Sequence, residues 1–413
     1  MELKPRSHEK IRQMLQKGVD IPNPLSLDVG DEVKIDQISS AGVRIYPGCR
    51  IYGEKTVISA GCRLGYEAPV TIENCQIGAK VALKGGFFSE SVFLEKASMG
   101  MGAHVREGCI VEEEANGAHC VGLKQTILFP FVTLGSLINF CDVLMAGGTS
   151  RRNHSEVGSS YIHFNFTPDA DKTTPSLIGD VPRGVMLNQP PIFLGGQGGI
   201  VGPVRLGYGN VVAAGSILRR DYLRDNQLIF APAPVGSVRD FTPAAYPDIR
   251  RVLENNILYL ANLKALEAWY RHVRKAFFEG TEFGPLLYAG VMDQLALARE
   301  ERLKRLGAMA QKAAPSAKGR KPASTRTAFH EHFPSIENVF SGNGFNDETQ
   351  RSGDVFLEDF LRATGSGRTD YIEAIRHLPA EIAAKGVAWL NNLVGDRCER
   401  VAIAAKSLNL FMK

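Results

Sequence analysis

Aliphatic residues recur at every sixth position in one stretch of the chain, at Leu194, Ile200, Leu206, Val212 and Leu218. This spacing is neither the two-residue alternation of an ordinary strand nor the 3.6-residue period of a helix. A fixed internal period indicates stacked, similar units. Six residues suit a parallel β-helix with three short faces per coil, in which each face sends one aliphatic side chain inward. The pattern therefore predicts a mainly β fold built from hexapeptide repeats.

A similar pattern extends upstream: from 33 to 221, short aliphatic or β-branched runs alternate with glycines. We interpret this range as one solenoid whose register slips at corner insertions, with a long excursion near 166–176. Before it, Ser7 is placed as the cap of a short helix that ends at Gly18.

From residue 246 the pattern becomes helical, with one wide apolar face that begins at Ile249. Further helices are expected over 284–309, 355–363, 370–377 and 380–393. Such helices pack for stability or association, and we expect no chemistry from them. The stretch 308–326 holds five basic residues and no acidic one, which is typical of a flexible linker.

These patterns divide the 413 residues into five regions. They are a helical lead, the β-helix domain, a helical region, a basic linker and a C-terminal helical region, at 1–24, 25–225, 226–310, 311–328 and 329–413.

The overall composition favours an ordinary globular protein, with 44% hydrophobic and 22% charged residues. A formal charge of +4 at this length argues against bulk electrostatic binding to nucleic acid. The sequence shows no signal peptide and no run long enough to span a membrane. The seven cysteines include no CxxC pair, so we expect reduced cysteines and a cytoplasmic location.

Three blocks resemble a known family: VREGCIVEEEANGAHCVGLK, VGSSYIHFNFTPDADKTTPSLIGD and GGIVGPVRLGYGNVVAAGSILRRD. They are similar to the left-handed β-helix acyltransferases, and most of all to the acetyltransferase domain of the bacterial bifunctional enzymes that act on glucosamine-1-phosphate. The left-handed winding is implied by this resemblance alone. The resemblance also implies acetyl-CoA or another acyl-CoA as co-substrate, and a homotrimer with sites between subunits.

Arg106 and Lys124 lie eighteen residues apart, which is one coil of three hexads. They are therefore expected to project from one face on successive coils, where an arginine and a lysine can grip a phosphate. The family has a sugar-phosphate pair of cations at this separation. The plain alternative is a pair of solvated surface charges.

Other binding residues are implied by the resemblance. Asn165 matches a sugar-binding asparagine, although an asparagine that caps the β-helix corner is also plausible. Lys172 lies on the excursion, where the family has a lysine that reaches a neighbouring subunit's site. Ala213 and Ala214 match small residues beside the pantetheine arm of the cofactor.

The chain departs from the family at its general base. Leu137 or Ile138 stands where the family has a histidine, and Phe140 stands where it has a tyrosine. The family's CoA-binding arginine falls at Ala231.

His154 and His163 are the candidate replacements for the base, because an imidazole can take the proton of an attacking amine. Glu156 is placed to orient one of them. The polar run 150–156 is also a candidate reactive or anion-binding patch.

The leading hypothesis is acyl transfer from acyl-CoA to the amino group of a sugar phosphate or nucleotide sugar. A second hypothesis is a sugar-phosphate or UDP-sugar binder that has lost its base and serves as a scaffold or regulator. The third is a γ-carbonic-anhydrase-like zinc site, for which four histidines are available: His104, His119, His154 and His163. The N-terminal nucleotide loop needed for uridylyl transfer is missing from the sequence, and we expect no metal for the first two functions.

Overall fold

The computed structural model shows a parallel β-solenoid of about eleven turns, followed by a helical C-terminal region. This confirms the mainly β fold and the helices expected after it. The basic segment 314–324, expected to be part of a linker, lies outside the described residues. The structure describes residues 6–232, 236–238, 240–244, 246, 249–313, 325–342, 344, 346–365 and 370–411.

Most strands of the solenoid are two to four residues long, and β15 and β17 run through a corner and serve two faces. In chain order the strands are β1 (Asp28–Val29), β2 (Arg44–Ile45), β3 (Arg50–Tyr52), β4 (Val57–Ile58), β5 (Arg63–Leu64), β6 (Val70–Glu73), β7 (Gln76–Ile77), β8 (Ala82–Leu83), β9 (Gly86–Ser89), β10 (Ser91–Phe93), β11 (Ser98–Met99), β12 (Ala103–Val105), β13 (Cys109–Val111), β14 (Asn116–Gly117), β15 (Gly122–Leu128), β16 (Thr133–Leu134), β17 (Asn139–Met145), β18 (Gly148–Ser150), β19 (Asn153–His154), β20 (Glu156–Val157), β21 (Ile162–Phe164), β22 (Ser176–Ile178), β23 (Phe193–Leu194), β24 (Gly199–Val201), β25 (Arg205–Leu206), β26 (Val211–Val212), β27 (Ile217–Leu218) and β28 (Leu228–Ile229).

The strands stack into three faces of a prism. The ten-stranded face contains β2, β5, β8, β11, β14, β16, β20, β23, β26 and β28. The Lys124 face contains β1, β3, β6, β9, β12, the first halves of β15 and β17, β21, β24 and β27. The covered face contains β4, β7, β10, β13, the second halves of β15 and β17, β22 and β25.

The five aliphatic residues of the hexapeptide pattern all point into the prism. Leu194, Ile200, Leu206, Val212 and Leu218 are each at most 2% exposed and lie on successive strands β23 to β27. The six-residue period therefore predicted their burial correctly. The last strand, β28, pairs with β26, so the solenoid continues slightly beyond the expected boundary at residue 225.

The helices lie at both ends of the chain and in one loop. They are α1 (His8–Lys17), α2 (Val181–Gly184), α3 (Ile249–Trp269), α4 (Lys275–Phe278), α5 (Gly284–Lys312), α6 (Thr325–Ser341), α7 (Asp347–Thr364), α8 (Tyr371–Arg376) and α9 (Ala380–Ala404). Among the described residues, none of these helices has the length and apolar character that a membrane crossing requires.

The first helix forms where the sequence predicted it, and Ser7 occupies its N-cap position, but the Ser7 hydroxyl makes no capping hydrogen bond. The Ser7 hydroxyl instead accepts a hydrogen bond from the N–H of Val29 at 3.0 Å, on the first coil. Gly18 ends the helix in a left-handed conformation, with φ of 102°, as its position suggested.

The C-terminal helices bury the covered face of the solenoid. Strands Ser91–Phe93, Cys109–Val111 and Ser176–Ile178 are buried at every position, whereas strands of the other two faces alternate between buried and exposed residues. Helix α5 contacts β7, β10 and β13, and α3 contacts β22. A parallel sheet covered on both sides buries the side chains of both sides, which explains why these strands are buried throughout.

A buried ion-pair cluster joins the helices to the covered face. The Arg274 guanidinium lies 3.2 Å from a Glu112 oxygen, pairs with Glu113, and stands 3.9 Å from the centre of the Tyr371 ring. Tyr270 donates its hydroxyl proton to Glu112. Burial raises the pKa of Glu112 to about 7 against the opposing effect of Arg274. The cluster holds two carboxylates and one guanidinium in a largely buried position. Removal of one charge would leave the opposite charge buried without a partner, which is strongly destabilising.

Candidate active site

The outward side chains of the Lys124 face form a regular grid because strand residues two apart point the same way. His104 and Arg106 project from one coil, and Lys124 projects from the next beside Gly122. The coil after that carries Asn139 and Cys141, in register with Gly122 and Lys124. The residues between them, such as Val105, Leu123 and Phe140, point into the core and are at most 2% exposed.

Arg106 and Lys124 therefore lie on one face of successive coils, as their separation predicted. Val105 pairs with Leu123, and the N–H of Arg106 donates to the carbonyl of Leu123 at 2.9 Å. Neighbouring coils are about 5 Å apart, a distance over which two cations can contact one phosphate.

Glu107 lies between the two cations and partly neutralises them. A Glu107 carboxylate oxygen lies 2.5 Å from the Lys124 ammonium. Partial burial raises the pKa of Glu107, but the Lys124 ion pair and the nearby Arg106 charge outweigh it and leave the pKa lowered. The guanidinium of Arg106 makes no hydrogen bond or ion pair with any described residue and is exposed. The pair thus offers one unpaired cation and one cation that must exchange its partner to bind a phosphate.

Asn165 lies above these residues, just beyond β21. Its side-chain oxygen accepts a hydrogen bond from the Thr174 hydroxyl at 2.5 Å, and its side chain also contacts the thiol of Cys141. Since Cys141 pairs with Lys124, Asn165 is two coils above that lysine. Burial raises the pKa of Cys141 to about 11, so this thiol is neutral and a poor nucleophile.

Helix α5 runs along the corner between the Lys124 face and the covered face, here called the α5 corner. Asp293 binds the Lys55 ammonium at 2.9 Å near one end of the solenoid. Further along, the Gln294 side-chain oxygen accepts a hydrogen bond from the N–H of Gly108 at 2.9 Å. The helix therefore forms a wall beside Arg106 and Lys124, which the sequence analysis did not foresee.

Helices α5 and α3 hydrogen-bond to the backbone of the excursion that carries Lys172. Arg302, which is 2% exposed, donates to the Lys172 carbonyl at 2.7 Å and pairs with Asp142. Asn256 donates to the neighbouring Thr173 carbonyl at 3.1 Å. The backbone of the excursion is thus held by its own chain, while the Lys172 side chain is exposed.

Arg302→Gln is expected to release the excursion, because it removes a buried charge and two of its contacts. Cleavage by trypsin after Lys172 should become at least about tenfold faster, in line with about 1.5–3 kcal/mol for hydrogen bonds to a charged group. The measurement is the rate of appearance of the peptide that ends at Lys172. Arg299→Gln is the matched control, since Arg299 on the same helix pairs with Glu267. Equal cleavage rates in both variants would show that Arg302 does not hold the excursion.

His163 lies inside the prism rather than beside Asn165. It is 4% exposed, and its Nε2 lies 2.8 Å from the Ser176 hydroxyl, which itself accepts a hydrogen bond from the N–H of Val204. Burial, followed by the Arg302 charge, lowers the pKa of His163 to about 3. Burial keeps this imidazole away from a ligand at the surface, and so low a pKa makes it a weak proton acceptor, so both favour a structural role over that of a base.

His154 lies on the hairpin β18–β19, which leaves the prism at the corner between the covered and ten-stranded faces, here called the hairpin corner. Its Nδ1 lies 2.8 Å from the carbonyl oxygen of Arg151, and its Nε2 lies 3.8 Å from a Glu156 oxygen. Arg151 donates to the carbonyls of Glu114 and Phe131, so it braces the hairpin. His154 is half-buried and is the only one of the two proposed bases that reaches the surface.

Ala213 and Ala214 lie at the third corner, between the ten-stranded and Lys124 faces, here called the alanine corner. Ala214 is exposed and Ala213 is half-buried. Gly195 lies one coil below, so close that an added Cβ would come within 2.3 Å of the Ala214 nitrogen. A side chain at position 195 would therefore collide with the backbone of the next coil, and glycine avoids this collision.

The candidate site residues are thus spread over the three corners of the prism. Arg106, Lys124 and Asn165 line the α5 corner, His154 lies at the hairpin corner, and Ala214 lies at the alanine corner. One chain brings the proposed phosphate and sugar ligands together, but not the proposed base or cofactor residues.

The four histidines considered for zinc are also separated within the chain. His104 lies on the Lys124 face and His163 in the core, while His119 lies at the alanine corner with its Nδ1 2.8 Å from the Ser136 hydroxyl. Among the residues that the structure describes, no three histidine, cysteine or acidic side chains converge as metal ligands would.

Two residues of this surface were not expected from the sequence as ligands of a sugar: His104, which was considered only for zinc, and Asn139. Both are exposed on the Lys124 face, beside Arg106 and Lys124. The sequence signal lay in the triplets HVR at 104–106 and NFC at 139–141. The middle residue of each triplet is apolar and points inward, so the first and third residues share the outer surface.

Curated relatives of the chain share sequence with about half of it. Bifunctional protein GlmU of Thermotoga maritima is 27% identical over 212 residues, which cover 51% of this chain and 42% of that protein. The GlmU proteins of Fervidobacterium nodosum and Acinetobacter baumannii are 27% identical over 215 and 220 residues, each covering 52% of this chain and 42% of the relative. The chain thus spans less than half the length of the curated relatives it matches.

No family model matches the chain. Among solved structures, the UDP-N-acetylglucosamine acyltransferase from Campylobacter jejuni aligns with 49% of this chain and 68% of its own, at 13% identity and a TM-score of 0.17. That score is too low to support an argument. The parallel β-solenoid and the GlmU relatives together confirm that this chain resembles the hexapeptide-repeat acyltransferases.

Proposed function

We propose that this chain transfers an acyl group from acyl-CoA to the amino group of a sugar phosphate or nucleotide sugar. The observation that carries the proposal is the pair Arg106 and Lys124, which face outward on successive coils beneath Asn165. Arginine and lysine supply the charge that a phosphate requires, and the asparagine amide can both donate to and accept from sugar hydroxyls.

The reaction requires the amine to attack the thioester carbonyl. A new C–N bond forms, the C–S bond breaks, and the amine proton passes through a base to the departing CoA thiolate. Ala213 and Ala214 would lie against the pantetheine arm, and Lys172 would contact the acceptor. Of the two bases expected from the sequence, His154 beside Glu156 is the one that reaches the surface, and it would have to enter this site from a neighbouring copy, since it lies at another corner.

A homotrimer in the cytoplasm is part of this proposal. In the part of the chain that the structure describes, the helices pack on the covered face, which leaves the ten-stranded and Lys124 faces open for contact between copies. Apolar residues already line the upper coils of the ten-stranded face, where Phe193, Val211 and Leu228 are exposed and in register. Exposed apolar columns of this kind are typical of interaction surfaces.

The test is release of free CoA thiol when purified protein is mixed with acetyl-CoA and glucosamine-1-phosphate. Longer acyl-CoA chains and UDP-glucosamine serve as alternative substrate pairs. Acceptor-dependent thiol release supports the proposal. Absence of release with all pairs, under conditions where the protein binds the acceptor, would leave the second candidate function.

That second candidate is a sugar-phosphate binder without catalysis. It is favoured by the residues that replace the family's base, since Leu137 is exposed at its corner and Ile138 and Phe140 are buried in the core. Phe140 packs edge-on against Tyr161 with ring centres 6.4 Å apart, so it has a structural role. Isothermal titration with glucosamine-1-phosphate and UDP-N-acetylglucosamine would detect such binding directly.

A further inference from the structure

A notch on the Lys124 face lies between His104 and Asn139. Gly122 pairs with His104 below it and with Asn139 above it, so the missing side chain of the glycine leaves a gap in an otherwise filled column. An added Cβ on Gly122 would meet nothing closer than the Asn139 amide oxygen at 3.6 Å, which shows that the space is open.

The imidazole of His104 is supported from below. Phe87 precedes it by one coil in the same column, and the two ring centres are 5.1 Å apart. The His104 nitrogens make no hydrogen bond with any described residue, and the side chain is exposed. Aromatic contact on the lower side therefore leaves the ring free to act on a ligand in the notch above.

Two cations border the notch. Arg106 lies two residues beyond His104, just after the end of β12 and about 7 Å away, and Lys124 lies two residues from Gly122. A phosphate held by Arg106 and Lys124 thus places the attached sugar beside the notch, within reach of His104 and Asn139. This arrangement lies within one chain, in contrast to the separate hairpin corner that carries His154.

We propose that the acceptor sugar sits over Gly122 and that His104 is the catalytic base, an inference that rests on the proposed function. The imidazole takes the proton of the attacking amine as the C–N bond forms and returns it to the sulfur as the C–S bond breaks. The Asn139 amide hydrogen-bonds to a sugar hydroxyl and fixes the amine towards His104.

Two variants test the proposal with little risk to the fold. His104→Gln should lower kcat by about 100-fold or more, in line with general-base catalysis, and should remove the acidic limb of the pH profile of kcat/KM. Gly122→Val should raise the KM for glucosamine-1-phosphate at least about tenfold, because its methyl groups fill the notch while valine suits a strand. Thr71→Val, on the same face of a lower coil, is the control and should change neither parameter.

The outcomes distinguish a failure of the proposed acyl transfer from a failure of the notch or of His104 as the base. If thiol is released and His104→Gln keeps the full rate while His154→Gln loses it, the base is His154 and this inference is wrong. If wild-type protein releases no thiol, the proposed function fails, and the notch is judged by titration with glucosamine-1-phosphate. Affinity that is unchanged in Gly122→Val, or wild-type protein that binds no acceptor, would then overturn the notch as well.

Discussion

Arg274→Met is expected to lower the free energy of unfolding by about 3–5 kcal/mol at pH 8, because it leaves Glu112 and Glu113 buried without their counter-charge. Chemical denaturation with urea measures the change. The control is Arg362→Met, which removes an exposed ion pair to Glu358 and should cost less than about 1 kcal/mol. Similar losses in both variants would contradict a dominant role for the buried cluster.

The pH dependence gives a second measurement of the same cluster. Burial raises the pKa of Glu112 to about 7 in the folded protein, above its ordinary value of 4.5. The folded state therefore binds the proton more tightly than the unfolded state, and this contribution to stability is present below pH 4.5 and lost as pH rises through about 7. Glu112→Gln should flatten the dependence between pH 5.5 and pH 8. The loss in Arg274→Met should also be smaller at pH 5.5 than at pH 8.

The double variant Arg106→Ala with Lys124→Ala is expected to lower kcat/KM for a phosphate-bearing acceptor by at least about 100-fold. Each charge-assisted contact to phosphate contributes about 1.5–3 kcal/mol, and every 1.4 kcal/mol corresponds to a factor of ten. Thiol-release kinetics with glucosamine-1-phosphate measure the effect, and glucosamine without its phosphate is the control substrate. A similar loss with both substrates would show that the cations do not contact the phosphate.

The single variants should differ because of Glu107. Lys124→Ala removes a cation and also frees the Glu107 carboxylate, which then repels the phosphate, so it should be more harmful than Arg106→Ala. Glu107→Gln should strengthen binding in the wild-type background and recover part of the loss in Lys124→Ala. A weaker effect of Lys124→Ala than of Arg106→Ala would argue against this arrangement.

Several features of the site could be predicted from residue spacing because they depend on one coil and its neighbour. The separation of Arg106 and Lys124 fixed their common face, since a regular coil returns each position to the same side of the prism. The inward direction of Leu194 and Ile200 follows from the same regularity. The direction of His163 was harder to predict: it points inward from β21, whereas Asn165 lies beyond the end of that strand, where the chain turns a corner.

The placement of the helices could not be read from the sequence. Their apolar faces were visible, but the surface that they would cover was not, because it depends on contacts between residues far apart in the chain. Arg302 and Asp142 are 160 positions apart in the chain, and no periodic pattern links them. The fully apolar three-residue strand Cys109–Val111 was a local sign that this face would be buried on both sides.

By itself, the sequence determined the solenoid, the inward positions of its core and the shared face of its two cations, because a repeating coil makes these local properties. Only the tertiary structure decided that α5 borders this face, that His104 and Asn139 flank an open notch at Gly122, and that His154 and Ala214 lie at other corners. The insertions between coils and the packing of the helices set those positions, and both depend on contacts across the whole chain.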